Sequence, residues 1–116
     1  MKNVILISLL SLAAISCQKC ESEDPRARII NEGTESVSVH IETSGGNTIN
    51  INNIDGGESS EFSSYAPGIV EFTITVGNGG NSDDFVSSVN MLECFEYEIM
   101  LDQYNVITYT AIDRNE

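Results

Sequence analysis

The three cysteines, Cys17, Cys20 and Cys94, carry the most evident chemistry in this 116-residue sequence. A thiol can be acylated, can bind a metal or can pair with a second thiol in a disulfide. Cys17 stands where the sequence changes from an apolar run, VILISLLSLAAIS, to the polar and acidic segment QKCESEDP. The role of Cys17 therefore depends on the segment that precedes it.

Residues 1–16 have the features of a secretory signal peptide. Lys2 gives a short positive start, and the 13-residue apolar run is too short to span a bilayer, which takes about 20 apolar residues. The sequence Ala14-Ile15-Ser16-Cys17 resembles the lipobox of bacterial lipoproteins, although that family most often has leucine where Ala14 stands. The resemblance implies that Cys17 is lipidated, that the peptide is cut before it, and that acyl chains hold the protein on a membrane. The alternative is an ordinary signal peptide.

Residues 17–25 are predicted to be the lipidated cysteine and a flexible tether, because Cys20 has the only apolar side chain of residues 18–24 and Pro25 stops any helix. Acids that follow the lipidated cysteine are similar to the surface-export signal of Bacteroidetes-type lipoproteins, and Cys20 interrupts that pattern. A generic polar linker is the alternative. Cys20 and Cys94 are the two remaining thiols, and an exported protein can hold them as a disulfide or as two free thiols.

The single histidine, His40, lies at a polar position of a predicted strand, so we expect a solvated side chain. A hydrolase triad or a zinc site needs partners around such a ring, and the sequence contains neither GxSxG nor HExxH. The segment GNGGNSDD offers Asn81, Asp83 and Asp84 as ligands for Ca²⁺, but it lacks the alternating acids and the closing glutamate of an EF-hand. We therefore predict a flexible loop there, without a metal or cofactor.

Carboxylates and tyrosines are the remaining candidates for chemistry on a sugar. A glycosidase needs two carboxylates on opposite walls of a cleft, which neighbouring acids of one strand cannot provide. The acids in question are Glu93, Glu96, Glu98 and Asp102. The tyrosines that could stack on a sugar are Tyr65, Tyr97, Tyr104 and Tyr109, of which we expect Tyr97 in the core and Tyr104 to be the most exposed. No residue set supports a reaction, so we predict no enzymatic activity.

The charge of the chain excludes one class of partner. Cleavage before Cys17 removes Lys2 and no acid, so four basic side chains remain against 18 acidic ones, a formal net charge of −14. Such a surface repels phosphates, and we predict no nucleic-acid partner. It favours solubility beside a membrane or the attraction of cationic partners.

Short strands must position these residues. In SVSVHIET, Val37, Val39 and Ile41 share one face, and the segments IVEFTITV and CFEYEIML show the same alternation. Further strands are expected in residues 26–31, 47–52, 58–65, 85–91 and 106–112, separated by turns at 45–46, 55–57 and 66–68. Seven or eight such strands predict an all-β, antiparallel sandwich over residues 26–116, with a small closed barrel as the alternative.

The first half of this domain also resembles immunoglobulin-like domains of bacterial envelope proteins. The resemblance covers about residues 26–76, from ARIINEGTESVSVHIE to YAPGIVEFTITV. In that family a strand ending in Asn begins the domain, and a Pro-Gly turn precedes a Thr-rich strand. The resemblance implies an immunoglobulin-like sandwich and no catalytic residues.

Together these patterns predict a small cell-envelope lipoprotein, anchored through Cys17 in the outer membrane, with a non-catalytic binding or structural domain. Its partners would be the membrane and an envelope protein or a glycan. The alternatives are an acidic exported protein that inhibits or sequesters cationic enzymes, and a glycan-binding accessory lipoprotein.

Overall fold

The computed structural model describes residues 20–77 and 82–115. Cys17 and the predicted signal peptide lie outside these ranges. The described chain forms eight strands: β1 (Arg26–Asn31), β2 (Val37–Glu42), β3 (Thr48–Ile54), β4 (Ser63–Ser64), β5 (Gly68–Val76), β6 (Asp83–Met91), β7 (Phe95–Leu101) and β8 (Ile107–Asp113). They make two separate four-stranded sheets, in the order β4-β1-β7-β8 in the first sheet and β3-β2-β5-β6 in the second.

This arrangement confirms the all-β sandwich. One hydrophobic core is shared between the sheets, with Ile29 and Ile99 from the first and Ile41, Phe72 and Ile74 from the second. The alternation foreseen in the sequence puts these side chains inward, because successive residues of a strand point to opposite faces. The closed-barrel alternative is wrong, since the described strands form two sheets and not one.

One strand pair departs from the predicted antiparallel arrangement. β1 and β7 are parallel, from the pair Arg26–Glu96 to the pair Asn31–Leu101. A tight turn forces neighbouring strands to be antiparallel, but β1 and β7 are connected through the whole second sheet, so no turn sets their direction. The sequence pattern within each strand carries no information on this choice.

The serine-rich segment 58–65 also differs from its prediction as a full strand. Only β4, a pair of residues, has strand geometry there. Upstream of it the Ser60 hydroxyl accepts the N–H of Ile29 at 2.9 Å, while the N–H of Ser60 donates to the carbonyl of Ile29 at 2.8 Å. The Ser60 hydroxyl thus takes the place of a backbone carbonyl as acceptor in the hydrogen-bond ladder along β1. The segment therefore lies beside β1 without forming a regular strand.

The two ends of the sandwich differ in composition. The cysteine end comprises the turns 43–47, 65–68 and 91–94 and the chain end 113–115, together with residues 20–25 that lie against it. The asparagine end comprises the loops 32–36, 55–58 and 102–106, which surround the buried Asn31, and the first residues of β6, Asp83 and Asp84.

Candidate functional site

The N-terminal segment is bonded to the cysteine end. Cys20 and Cys94 form a disulfide with their Cα atoms 5.7 Å apart, across 74 residues of sequence. Cys94 lies between β6 and β7 in the left-handed backbone region, with φ at 66°, and its side chain is buried. The alternation of CFEYEIML predicts that Cys94 shares a strand face with Glu96 and Glu98. This prediction is wrong, because Cys94 lies in the turn before β7.

Residues 23–25 add non-covalent contacts to this attachment. The Cys94 N–H donates to the Glu23 carbonyl at 2.9 Å, and the Tyr65 N–H donates to the carbonyl of Pro25 at 2.9 Å. Arg114 donates through Nη1 to the Glu23 carboxylate and through Nη2 to the Asp24 carbonyl, both at 3.0 Å. Pro25 is fully buried.

These contacts differ from the flexible tether expected for residues 17–25. Over its described part, residues 20–25, the segment follows the domain surface and is bonded to it. The physical reason is that Cys20 is bonded to the buried Cys94 and that Pro25 is itself buried, although both residues look like interruptions of a polar linker. A polar composition predicts disorder only where such partners are missing.

Asn31 organises the opposite end, and the sequence offered only its position at the end of a strand. Its amide nitrogen donates to the carbonyls of Glu35 (2.7 Å) and Ile54 (2.9 Å), while its Oδ1 accepts the N–H of Gly33 at 2.9 Å. The side chain is completely buried. One amide thus connects the loop 32–36 to the end of β3, and both of its N–H donors and its oxygen are bonded inside the protein.

The loop that carries Gly56 approaches the loop that carries Gly33 very closely. A Cβ atom on Gly56 would lie 2.6 Å from the carbonyl oxygen of Gly33 and 2.9 Å from the carbonyl carbon of Thr34. Glycine is needed here because no side chain fits between the two backbones.

A shallow cleft of about 60 Å³ opens beside Asn31. It is lined by Asn31, Gly33, Thr34, Glu35, Val76, Leu101, Gln103 and Asn105. Sites for small organic ligands usually measure about 300–1,000 Å³. The cleft can hold water or one polar group of a larger partner, but not a metabolite.

His40 is exposed on the outer face of the second sheet, as expected. Its Nδ1 lies 2.8 Å from Oδ1 of Asn50, and its Nε2 lies 3.7 Å from a Glu42 carboxylate oxygen. Neither neighbour is the serine or cysteine that a hydrolase triad pairs with its histidine. Among residues 20–77 and 82–115, no group of three or more His, Cys, Asp or Glu side chains has the geometry of a metal site.

The proposed Ca²⁺ ligands are only partly described. Asn81 lies outside the described residues, and the structure tests nothing about it. Asp83 and Asp84 begin β6 and are exposed, and Asp84 accepts the hydroxyl of Thr75 at 2.7 Å.

Three of the four acids considered for a glycosidase pair have structural partners. Glu96 binds Arg26, and Glu98 binds Arg28 at 2.6 Å, across the parallel strands β1 and β7. Both guanidinium groups also lie over the ring of Phe62, at 5.2 and 4.9 Å. Asp102 accepts the N–H groups of Tyr104 (2.8 Å) and Val106 (2.9 Å) and thereby closes the last hairpin turn. Glu93 is exposed beside Cys94.

The four tyrosines divide into two classes. Tyr65 and Tyr97 are buried, and the Tyr97 hydroxyl accepts the N–H of Leu92 at 2.9 Å. Burial raises the pKa of Tyr65 above its ordinary value of 10.0, with a side-chain hydrogen bond from Ser63 acting in the opposite direction. Tyr104 is 76% exposed and Tyr109 is 50% exposed, so these two remain available to a partner.

Charge is unevenly distributed between the ends. Exposed carboxylates at the asparagine end belong to Glu32, Glu35, Asp55, Glu58, Asp83 and Asp84. The three described arginines all lie elsewhere, and each is paired with an acid: Arg26 with Glu96, Arg28 with Glu98 and Arg114 with Glu23. In the described chain the asparagine end therefore has no basic side chain to offset its acids.

Comparison with known proteins supports the fold and nothing more specific. No protein-family model and no curated protein matches the chain. A protein from Eubacterium rectale, whose structure was solved by NMR, superposes with a TM-score of 0.53 over 76% of this chain and 87% of that chain, at 20% sequence identity. A likeness at that identity concerns the arrangement of strands. Within the described residues, no helix is long and apolar enough to cross a membrane.

Proposed function

We propose that the protein is a cell-envelope lipoprotein, held on the outer membrane by acyl chains on Cys17, whose sandwich is a non-catalytic binding or structural domain. The observation that carries the proposal is the sequence Ala14-Ile15-Ser16-Cys17 at the end of an apolar run. Two or more acyl chains on one cysteine anchor a protein stably, whereas one chain alone binds marginally. The immunoglobulin-like and Bacteroidetes-type resemblances belong to the same proposal.

The structure adds support in two ways. The folded domain begins only three residues after Cys17, at Cys20, so the two remaining thiols are used inside the domain and Cys17 is left for another purpose. The carboxylates that could have served a hydrolase are engaged otherwise, since Glu96 and Glu98 bind arginines and Asp102 closes a turn.

The test is metabolic labelling of the native protein with an alkyne-bearing fatty acid, followed by mass spectrometry of its N-terminus. We expect a processed chain that begins at acylated Cys17, with labelling abolished in Cys17→Ala. Cys20→Ala is the matched control, because it removes a cysteine only three positions away and should leave labelling intact. An unmodified N-terminus in the native protein would contradict the anchor.

A second candidate function is the capture of a cationic protein, which the acids of the asparagine end favour. Six exposed carboxylates without a described base would attract a basic surface, and attraction between exposed charges falls when salt shortens the Debye length. Binding to a basic protein such as lysozyme should weaken steeply as salt rises. Replacing Glu32, Glu35 and Asp55 by their amides should weaken it further, while the same change at Glu42, Glu71 and Glu93, away from that end, should have a smaller effect. Salt-independent binding would contradict this candidate.

A further inference from the structure

We propose that the Cys20–Cys94 disulfide determines which end of the domain meets the membrane. The cysteine end rests on the lipid surface, and the asparagine end points away from it. This inference rests on the proposed acylation of Cys17.

The length of chain between the anchor and the domain is the first argument. Cys17 and Cys20 are three residue steps apart, so even a fully extended chain reaches only about 10 Å. Cys20 is bonded to Cys94 in the turn between β6 and β7. The turn 91–94 therefore cannot move far from the lipid headgroups, whichever conformation the connecting residues adopt.

A tether that was free as far as Arg26 would behave differently. Its nine residue steps would reach about 30 Å, more than the length of the strands, and the domain could then rotate freely. The disulfide, the Glu23–Arg114 ion pair and the buried Pro25 remove that freedom. β7 runs from the cysteine end to the asparagine end and spans about 20 Å, so the loops around Asn31 lie that much farther from the surface.

The side chains of the cysteine end are compatible with contact to lipid, although Tyr104 and Val106 are as exposed at the asparagine end, so the short connection carries the proposal. Ile69 is 61% exposed and Leu92 is 50% exposed, and they stand next to Gly68 and Met91, which pair with each other across β5 and β6. Pro67 is exposed in the adjoining turn. Apolar side chains on a surface attached this closely to the headgroups, by about 10 Å of chain and the 5.7 Å between the two cysteine Cα atoms, can enter the interface between headgroups and acyl chains. The nearby carboxylates of Glu21 and Glu93 favour a zwitterionic lipid surface over an anionic one.

The absence of tryptophan from the chain permits a clean test. The acylated full-length mature protein is placed in phosphatidylcholine vesicles that contain brominated lipid, with one reporter tryptophan at either end: Leu92→Trp at the cysteine end or Tyr104→Trp at the asparagine end. Both positions are exposed, so both variants should fold, which circular dichroism checks. We expect bromine to quench Leu92→Trp severalfold more strongly than Tyr104→Trp. Equal quenching of the two reporters, or stronger quenching of Tyr104→Trp, would overturn the proposal.

A second measurement tests whether the short connection is the cause. Inserting a twelve-residue Gly-Ser segment between Lys19 and Cys20 leaves the anchor and the disulfide in place but lengthens the connection. The difference between the two reporters should then shrink toward zero. A difference that survives unchanged would show that the connection does not set the orientation.

Failure of the anchor and failure of the orientation give different results. If the native chain carries no acyl chain, the proposed function fails. The orientation can still be measured by coupling a maleimide lipid to Cys17, since Cys20 and Cys94 are bonded to each other and do not react under oxidising conditions. If acylation is present but the two reporters are quenched equally, the orientation alone fails.

Discussion

The two ends of the sandwich are closed by different chemistry. At the cysteine end a disulfide and an ion pair attach a segment that precedes the first strand. At the asparagine end one buried amide connects the loop 32–36 to Ile54, the last residue of β3, through three hydrogen bonds. The first closure depends on an oxidising compartment, whereas the second requires only that the strands have formed.

The disulfide therefore governs how the domain is attached, whereas the Asn31 contacts govern the conformation of the loops at the other end. The disulfide links the domain to whatever lies upstream of Cys20, so its loss should alter both stability and the position of the domain. The Asn31 contacts define the conformation of loops that face away from the N-terminus, so their loss should alter those loops and the stability of the fold. Four variants test this comparison, and loss of the disulfide should have the largest effect and loss of the Tyr65 hydroxyl the smallest.

Removing the disulfide should cost the most. For a bridge across 74 residues, the loop-entropy model assigns roughly 4 kcal/mol to the free energy of unfolding. We expect the double variant Cys20→Ala/Cys94→Ala, in a Cys17→Ser background, to lose a comparable amount in urea denaturation. Wild-type protein in dithiothreitol is the control and should unfold like the double variant. An unchanged unfolding midpoint in both would contradict the role of the bridge.

Asn31→Ala should follow closely. It removes three hydrogen bonds and leaves the carbonyl of Ile54 without this donor, which should lower the free energy of unfolding by about 3 kcal/mol. Asn50→Ala is the matched control, because Asn50 is an exposed asparagine whose partner is the exposed His40. That change should cost less than about 0.5 kcal/mol. Similar losses in the two variants would show that burial of Asn31 adds nothing.

Much of the fold was predictable, and the reasons are visible in particular residues. Alternation in β2, β5 and β7 identified the inward side chains, because burial of one face imposes a period of two. The strand β8 was also expected, but its inward position Tyr109 is 50% exposed, because β8 is an edge strand that the other sheet covers only partly. Edge position is a property of the whole topology, which the alternation within one strand does not report.

Some of the site residues were likewise recognisable from the sequence, and others were not. The thiols of Cys20 and Cys94 were recognisable as a pair by their number, although free thiols remained the alternative. Asn31 and Gly56 were not recognised, because an asparagine or a glycine in a loop looks the same whether its neighbours are solvent or a second loop. Their roles depend on the approach of the loops 32–36 and 55–58, which no short stretch of sequence reveals.

Gly56→Ala sharpens the test of the asparagine end without touching a hydrogen-bonding side chain. The new methyl group would collide with the carbonyl of Gly33 at 2.6 Å, and since backbone must move, we expect a loss of about 2 kcal/mol. Gly45→Ala, in a turn of the cysteine end with no atom within 4 Å of the new Cβ, should be nearly neutral. Equal stability of the two variants in thermal unfolding would mean that the backbone of the loops around Asn31 can move apart at little cost in free energy.

The smallest effect concerns pH and lies at the cysteine end, where Tyr65 contacts Pro25. Burial raises the pKa of Tyr65 in the folded state above its unfolded value of 10.0, so the folded protein retains this proton when the unfolded chain loses it. The stability linked to Tyr65 is therefore fully present below pH 10.0 and is lost as the pH rises from there through the folded pKa. Urea denaturation over this alkaline range should show a shallower decline in Tyr65→Phe than in wild type, while Tyr104→Phe, which changes an exposed side chain, should retain the wild-type decline. If Tyr65→Phe and Tyr104→Phe decline alike, burial of Tyr65 is not what links the stability of this end to alkaline pH.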